Sequence, residues 1–444
     1  MKGVQADAPW LDTKPADWPP SRIRNVARLS PGYSDVAPAP DELCTVVPME
    51  LVSEGGTVDT SQMQVFDAIS TGLTLFEAGD LIFAKITPCM ENGKGAFIEA
   101  LPTRYAFGST EFHVLRPSHR IDGKFLYYYT FNPTYRAYAA ENMSGAAGQK
   151  RVSSRFLKDT RLHLPPLITQ RQIAAYLDAS CKAIDAAMET KRHQIETLSS
   201  MIASLIESAV TRGLDPTTAH VPIHQDWIES LPAHWSAVRI KRVVSQMDYG
   251  ISESTQSEGT HPVLKMGNIQ AGRIVFSKME FVDEVDDALV LDTDDLLYNR
   301  TNSPDQVGKA ALFRGSKADG VTFASYLVRL RVNHRMTPQF LNYAVNCGGF
   351  LSFARKLAIP SVQQSNLNST RYSRMLVPLP PLNEQRAICE HLDAKVQELK
   401  VVIATIERQI DTLASYRTSL IHECVTGQRR VVDRSKDVRA VAYG

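Results

Sequence analysis

Two stretches of the chain keep apolar residues at alternating three- and four-residue steps over many turns, the spacing of a long helix packed along a narrow seam. In the first, the seam runs Ile173, Leu177, Cys181, Ile184, Met188, Ile195, Leu198, Ile202 and Leu205. In the second it runs Ile388, Leu392, Val396, Leu399, Ile403, Ile406, Ile410, Leu413 and Leu420, and Lys191 stands in the first where Ile406 stands in the second. Each stretch follows a Pro-Pro-Leu, so Thr169 and Asn383 are the expected N-caps. A helix of about 40 residues is about 60 Å long, and so narrow an apolar stripe has to be covered by another helix. Its own duplicate, packed antiparallel, is the obvious cover. Ahead of each stretch the period shortens. Strands are expected near 262–268 and 295–298, and helices over 125–140 and 340–358, where aromatic and apolar residues fall at helical spacing.

The two halves repeat one another, and this decides the fold class. Pro15-Ala16-Asp17-Trp18 with Arg22-Ile23-Arg24 answers to Pro232-Ala233-His234-Trp235 with Arg239-Ile240-Lys241. The run Asp80 to Thr87 answers to Asp295 to Asn302 and continues without a gap to Gly93-Lys94 and Gly308-Lys309. Pro165-Pro166-Leu167 with Gln170-Arg171 and Ile173 answers to Pro380-Pro381-Leu382 with Gln385-Arg386 and Ile388. Two copies are too few for a solenoid, which leaves a duplicated domain. The expected class is α+β: two mixed α/β domains joined by two long antiparallel coiled-coil helices, with a pseudo-twofold internal repeat. The expected layout is a lead-in (1–17), a globular segment (18–164), a long helix (165–213), a linker (214–231), a second globular segment (232–379), a second long helix (380–427) and a tail (428–444).

A length of 444 residues fits two or more domains. No apolar run has the length of a signal peptide or membrane span, so a cytoplasmic protein is expected. The six cysteines are scattered, with no CxxC pair, which points to free thiols. The net charge of +1 says little, but its distribution says more. Between Asp319 and Glu384 there is no acid, while Arg329, Arg331, Arg335, Arg355, Lys356, Arg371 and Arg374 all fall there. Lys150, Arg151, Arg155 and Lys158 form a smaller copy of this asymmetry, and a basic face is the expectation.

Catalytic motifs are not found. Asn132-Pro133-Thr134-Tyr135 only brushes against an adenine-methyltransferase motif and reads as a loop or helix break. Gly93-Lys94-Gly95 and Gly308-Lys309 lack the context of a nucleotide-binding turn. Glu189-Thr190-Lys191 sits inside the first long helix. Side chains suited to base edges do collect in the globular segments. In the second copy they are Lys265, Asn268 and Gln270; Asn299, Arg300, Asn302, Gln306 and Lys309; then Gln363, Gln364, Asn366 and Asn368. In the first they are Lys85, Thr87, Asn92 and Lys94, with Gln149, Lys150 and Arg151.

These residues carry a resemblance. The Trp-x-x-x-Arg-Ile-Lys opening at Trp235, the runs Leu264 to Gln270 and Leu297 to Ser303, and Leu379-Pro380-Pro381-Leu382-Asn383-Glu384-Gln385 together resemble the specificity subunit of Type I restriction-modification systems over nearly the whole chain. The resemblance implies a non-catalytic subunit with two target recognition domains, each reading half of a bipartite double-stranded DNA site, and helices that set the spacing between the halves. It also implies partners: methylation subunits, two of them, that bind S-adenosylmethionine, and restriction subunits that translocate DNA using ATP and Mg. No cofactor is then expected on this chain and no membrane. A coiled-coil scaffold without DNA readout and a stand-alone methyltransferase are the competing readings. The first copy departs from the pattern at Val47-Pro48-Met49-Glu50 and at Thr169-Gln170, so its reading residues are harder to place.

Overall fold

A computed structural model describes residues 15, 17–146, 148–270, 272–361 and 364–431. Contacts divide them into two compact units. One holds the described residues up to Lys191 together with those from Arg408 onward, and the other holds Arg192–Glu407. The lead-in and the tail fall largely outside the described residues, and Gln363 lies outside them entirely.

In the first unit, an antiparallel sheet has the order Ala27–Leu29, Phe112–Pro117, Leu81–Ala84, Gly95–Phe97. Its strand Leu81–Ala84 is buried at every residue, as a continuous apolar run with neighbours on both sides should be. A second sheet, in the order Met63–Val65, Leu43–Val47, Ala106–Gly108, Thr74–Phe76, contains one parallel pair, Leu43–Val47 with Ala106–Gly108. The helices α1 (Gly123–Phe131), α2 (Pro133–Glu141) and α3 (Ser154–Asp159) follow. Arg161–His163 then pairs with Pro20–Arg22 and leads into the long helix α4 (Leu167–Arg212).

The second unit repeats this order. Val244–Tyr249, Leu327–Val332, Leu296–Asn299 and Ala310–Leu312 form the equivalent sheet, extended by Arg273–Ile274 and Ile269–Gln270. Glu280–Val282, His261–Leu264 and Thr322–Phe323 form the other, again with one parallel pair. Helices α5 (Pro338–Asn346), α6 (Gly348–Leu357) and α7 (Ser369–Arg374) lead to the second long helix, α8 (Leu382–Thr426). Where one helix was expected over 125–140, and one over 340–358, there are two. Pro133 has no N–H to continue α1, and Asn132 caps α2 by accepting from the Thr134 N–H at 3.0 Å. The second copy breaks at Cys347-Gly348-Gly349.

The duplication extends to individual contacts. Arg116 holds Asp80 through two hydrogen bonds of 2.7 Å, and Arg331 holds Asp295 at 2.7 and 3.0 Å. Trp18 packs edge-on to Phe125 at 6.5 Å, as Trp235 does to Phe340. Tyr128 donates to Asp178 at 2.8 Å and Tyr343 to Asp393 at 2.6 Å. Both long helices begin directly after Pro-Pro, earlier than Thr169 and Asn383, because a buried glutamine organises the turn. Gln170 donates to the carbonyls of Pro165 and Arg120 and accepts from the Asp122 N–H. Gln385 does the same with Pro380, Arg335 and Thr337.

Every apolar seam position named above is buried or half-buried. Within the first unit, Ile173, Leu177, Cys181 and Ile184 of α4 share one core with Trp18, Phe125 and Leu157, and also with Leu420, Ile421, Cys424 and Val425 of α8. Asp185 pairs with Arg417 and Lys191 donates to Gln409, so the two segments run antiparallel there. Within the second unit, the core around Trp235 and Phe340 takes in Ala209 and Val210 of α4 and Ile388, Cys389 and Leu392 of α8. Within each unit, segments of both long helices are thus part of the core. All six cysteines are free. Among the described residues, no helix is long and apolar enough to cross a membrane.

Candidate nucleic-acid interface

The strand Leu296–Asn299 is buried throughout, and the chain leaves it at Arg300 and Thr301 to join a small antiparallel sheet of Thr301–Asn302, Gln364–Asn366 and Ile359–Ser361. This exit shapes an open hollow of about 330 Å³ lined by Arg300, Thr301, Ser325, Tyr326, Ser361, Gln364, Ser365 and Asn366. All eight are polar. The Arg300 guanidinium lies over the Tyr249 ring, 5.1 Å from its centroid, and Asn366 Nδ2 donates to Thr301 Oγ1 at 2.8 Å. Tyr249 and Tyr326 are both exposed. Donors, acceptors and an exposed aromatic ring on one concave surface match what base edges and sugars require.

The first unit builds the same place from different side chains. The Lys85 N–H donates to the Glu111 carbonyl at 2.9 Å, as the Arg300 N–H does to that of Tyr326 at 2.9 Å. The Val152 N–H reaches the Lys85 carbonyl at 2.9 Å, as the Leu367 N–H reaches that of Arg300 at 2.8 Å. Ile86, Arg151 and Ser144 bridge one another where Thr301, Asn366 and Ile359 pair. Lys85, Thr87, Gln149, Lys150 and Arg151 therefore come together, and the Thr87 N–H donates to the Lys150 carbonyl at 3.0 Å. Gln149 and Lys150 are exposed.

Here the chemistry is ionic. Arg151 Nη2 and Nε donate to Glu111 at 2.8 and 3.0 Å, and Nη1 donates to the Gln149 carbonyl at 3.1 Å. The hydrogen-bonded guanidinium holds the Glu111 carboxyl below its ordinary range. His113 is buried beside it with Nε2 2.8 Å from the Val152 carbonyl, and burial lowers its pKa.

Several expected readers are occupied elsewhere. Asn268 is buried: its Oδ1 accepts from the Lys265 N–H, and its Nδ2 donates to the Val275 and Ser277 carbonyls. It shapes a turn and cannot present its amide to a base. Asn299 is fully buried at the end of its strand, with no partner for either amide atom among the described residues, and it too is withdrawn from the surface. The Lys265 ammonium pairs with Glu280 and Thr255. Lys94 donates to the Met49 carbonyl at 3.0 Å and Asn92 to Glu54 at 2.9 Å. Lys309 donates to Gln306, whose amide also meets Asp305. Gln270 turns back to the Gly267 carbonyl, Asn302 accepts from the Ser303 N–H, and Asn368 caps α7.

The basic face also needs correction. Arg329 is fully buried, bonded to Asp248 and to the Ala288 and Val290 carbonyls, and Arg331 is held by Asp295. The acids lie upstream of the acid-free window and neutralise it through the sheet. Arg335, Arg355, Lys356, Arg371 and Arg374 do stay exposed. Conversely, Glu111, Tyr249, Ser325, Tyr326, Ser361 and Ser365 were not singled out by sequence. The signal for Glu111 and Tyr326 was present: both immediately precede the matched strands Phe112–Pro117 and Leu327–Val332.

The family model of the Type I restriction modification DNA specificity domain matches residues 56–197. The specificity subunit of the Type I restriction enzyme EcoAI of Escherichia coli is 29% identical over 236 residues, which are 51% of this chain and 39% of that one. The EcoKI specificity subunit of Escherichia coli K12 is 21% identical over 76% of this chain and 75% of its own length. The chain thus spans well under two thirds of the EcoAI subunit and three quarters of the EcoKI subunit. Among solved structures, a chain from a study of complex assembly and conformational transition of the type I R-M system shares the fold, with a TM-score of 0.73, 17% identity, and coverage of 93% of this chain and 98% of that one. These matches make the chain similar to Type I restriction-modification specificity subunits, over 56–197 by the family model and over half to three quarters of its length by these relatives, and the solved structure shares its fold.

Proposed function

We propose that this chain is the non-catalytic, sequence-reading subunit of a Type I restriction-modification complex. Its two recognition domains, 18–164 and 232–379, each read one half of a bipartite double-stranded DNA target. The observation that carries this reading is one backbone framework built twice at the same position of a duplicated scaffold, with different polar side chains in each copy and an open polar hollow in the second. A shared scaffold with divergent contacts is what two readers of unlike half-sites require.

In this reading the long helices, 165–213 and 380–427, pair as an antiparallel coiled coil, relate the two domains by a pseudo-twofold axis and set the length of the unread spacer. Two methylation subunits that carry S-adenosylmethionine dock on the chain, and restriction subunits that use ATP and Mg complete the complex. The chemistry belongs to those partners, and this chain chooses where it happens.

Methylome sequencing of a host carrying the intact system tests the proposal. The expected result is a bipartite motif, of which one half changes and the other persists when 232–375 is exchanged for a relative's segment. A change in both halves, or methylation without a bipartite motif, overturns it.

A further inference from the structure

The guanidinium of Arg151 is oriented before any ligand arrives. A guanidinium has five N–H donors. Glu111 takes one from Nε and one from Nη2, and the Gln149 carbonyl takes one from Nη1. One N–H on each terminal nitrogen is left over. The side chain is 42% exposed, so these two donors reach solvent while the carboxylate holds the plane of the fork. Two donors on adjacent atoms match the O6 and N7 acceptors of guanine in the major groove.

The pairing also distinguishes a base from a phosphate. An arginine clasped by a carboxylate is close to neutral as a pair, so its long-range attraction for a phosphate is weakened. Its fixed hydrogen-bonding edge is unaffected. Lys150, exposed next to it, has no such partner among the described residues and is the better phosphate contact. In the second domain Tyr326 stands at the place of Glu111 and Asn366 at that of Arg151, so no carboxylate-held guanidinium occupies that place, and the guanidinium of Arg300 comes instead from the position of Lys85.

Resting on the DNA-reading function proposed above, we infer that Arg151, positioned by Glu111, selects a guanine in the half-site read by the first domain. The exchange of this pair for Tyr326 and Asn366 makes the second domain choose differently at the corresponding place. An amide offers one donor and one acceptor, the complement of adenine N7 and N6.

The test uses the complete complex. In the host methylome, the half-site that survives exchange of 232–375 contains an invariant guanine, and Arg151→Lys, which keeps the charge and loses the fork, relaxes that position alone. Glu111→Gln relaxes it partially. In vitro, replacing that guanine by 7-deazaguanine, which lacks the N7 acceptor, weakens binding of the unaltered complex by about 10-fold or more. The Arg151→Lys complex no longer feels this replacement. A bipartite motif with every position unchanged in Arg151→Lys, or an equal loss on all sequences, overturns the inference and leaves the function standing. If Arg151→Lys does not assemble, 7-deazaguanine with the unaltered complex decides: no loss at any guanine of that half-site overturns the inference. A system with no bipartite motif removes both.

Discussion

The first and second units differ least where the chain is buried by its own repeat and most where strands end at the surface. Asp80–Arg116 and Asp295–Arg331 form the same pair, Gln170 and Gln385 hold the same turn, and Trp18 and Trp235 pack edge-on to equivalent phenylalanines. The places beside Lys85 and Arg300 share backbone hydrogen bonds and little side-chain chemistry: an ion pair in one, a guanidinium with amides, hydroxyls and tyrosine in the other. Duplication has kept the groups whose loss would leave buried polar atoms unpaired, and has let go of those that face water.

One buried position breaks the pattern, and it gives the largest expected effect. Val114 lies in the core of the first unit, whereas its counterpart Arg329 is fully buried among Asp248, Asp295 and two carbonyls. Arg329→Met should destabilise the second unit by about 3 to 5 kcal/mol, since removing one partner strands the rest. The double substitution Arg329→Val with Asp248→Ser, which imports the residues of the first copy, should recover at least about half of that loss. Urea unfolding of the whole chain measures both, and a double variant no better than the single one would mean that the carbonyls, rather than the carboxylate, carry the cost.

Next in size are the buried glutamines. Gln170→Leu and Gln385→Leu each leave two carbonyls and one N–H without partners and should cost about 2 to 4 kcal/mol apiece. Near-equal losses are expected, and a difference above about 1 kcal/mol would show that the two turns are not energetically equivalent.

At these two places, Arg300→Ala should weaken DNA binding by the assembled complex by about 1 to 3 kcal/mol and relax one position of the second half-site. Lys85→Ala should give a smaller loss spread over all sequences, because an ammonium is a point charge without a fork. Binding to a panel of single-base variants at fixed salt separates the two patterns.

The smallest effect is acidic. The Glu111 carboxyl is held below its ordinary value of 4.5, so its stabilising contribution is present at neutral pH and is lost as pH falls through the lowered value. The corresponding place in the second unit is held by Tyr326 and carries no carboxylate. Protection of the amides at 148–152, relative to their intrinsic exchange rates, should therefore fall at acidic pH more than that of the amides at 364–367, by a small amount given the exposure of Arg151.

The repeat and the long helices were legible because their determinants are local: a heptad seam, a Trp near the start, an Asp before an apolar strand, a glutamine after Pro-Pro. The two polar surfaces were legible in part. Lys85, Arg151, Arg300 and Asn366 converge as their residue types suggested, yet Asn268 and Asn299 belong to the same types and are buried. Asparagine serves turns and readout with one set of atoms, and only the surrounding backbone decides between them. The basic window misled for another reason: Arg329 and Arg331 find Asp248 and Asp295 across strands, and sheet pairing has no counterpart in sequence separation. Glu111 was missed because a lone carboxylate gains its meaning only when Arg151 arrives from another segment.

The sharing of α4 and α8 between the cores has a consequence for synthesis. Leu420, Ile421, Cys424 and Val425 close the core begun by Trp18 and Phe125, yet the ribosome makes them only after the entire second unit. The second unit has all its core residues once Leu392 is made, and the first must wait for Val425. Ile173 and Leu177 wait with part of their cover missing, at a stage when nascent chains are prone to aggregate. Premature termination inside α8 would therefore fall most heavily on the domain that was translated first.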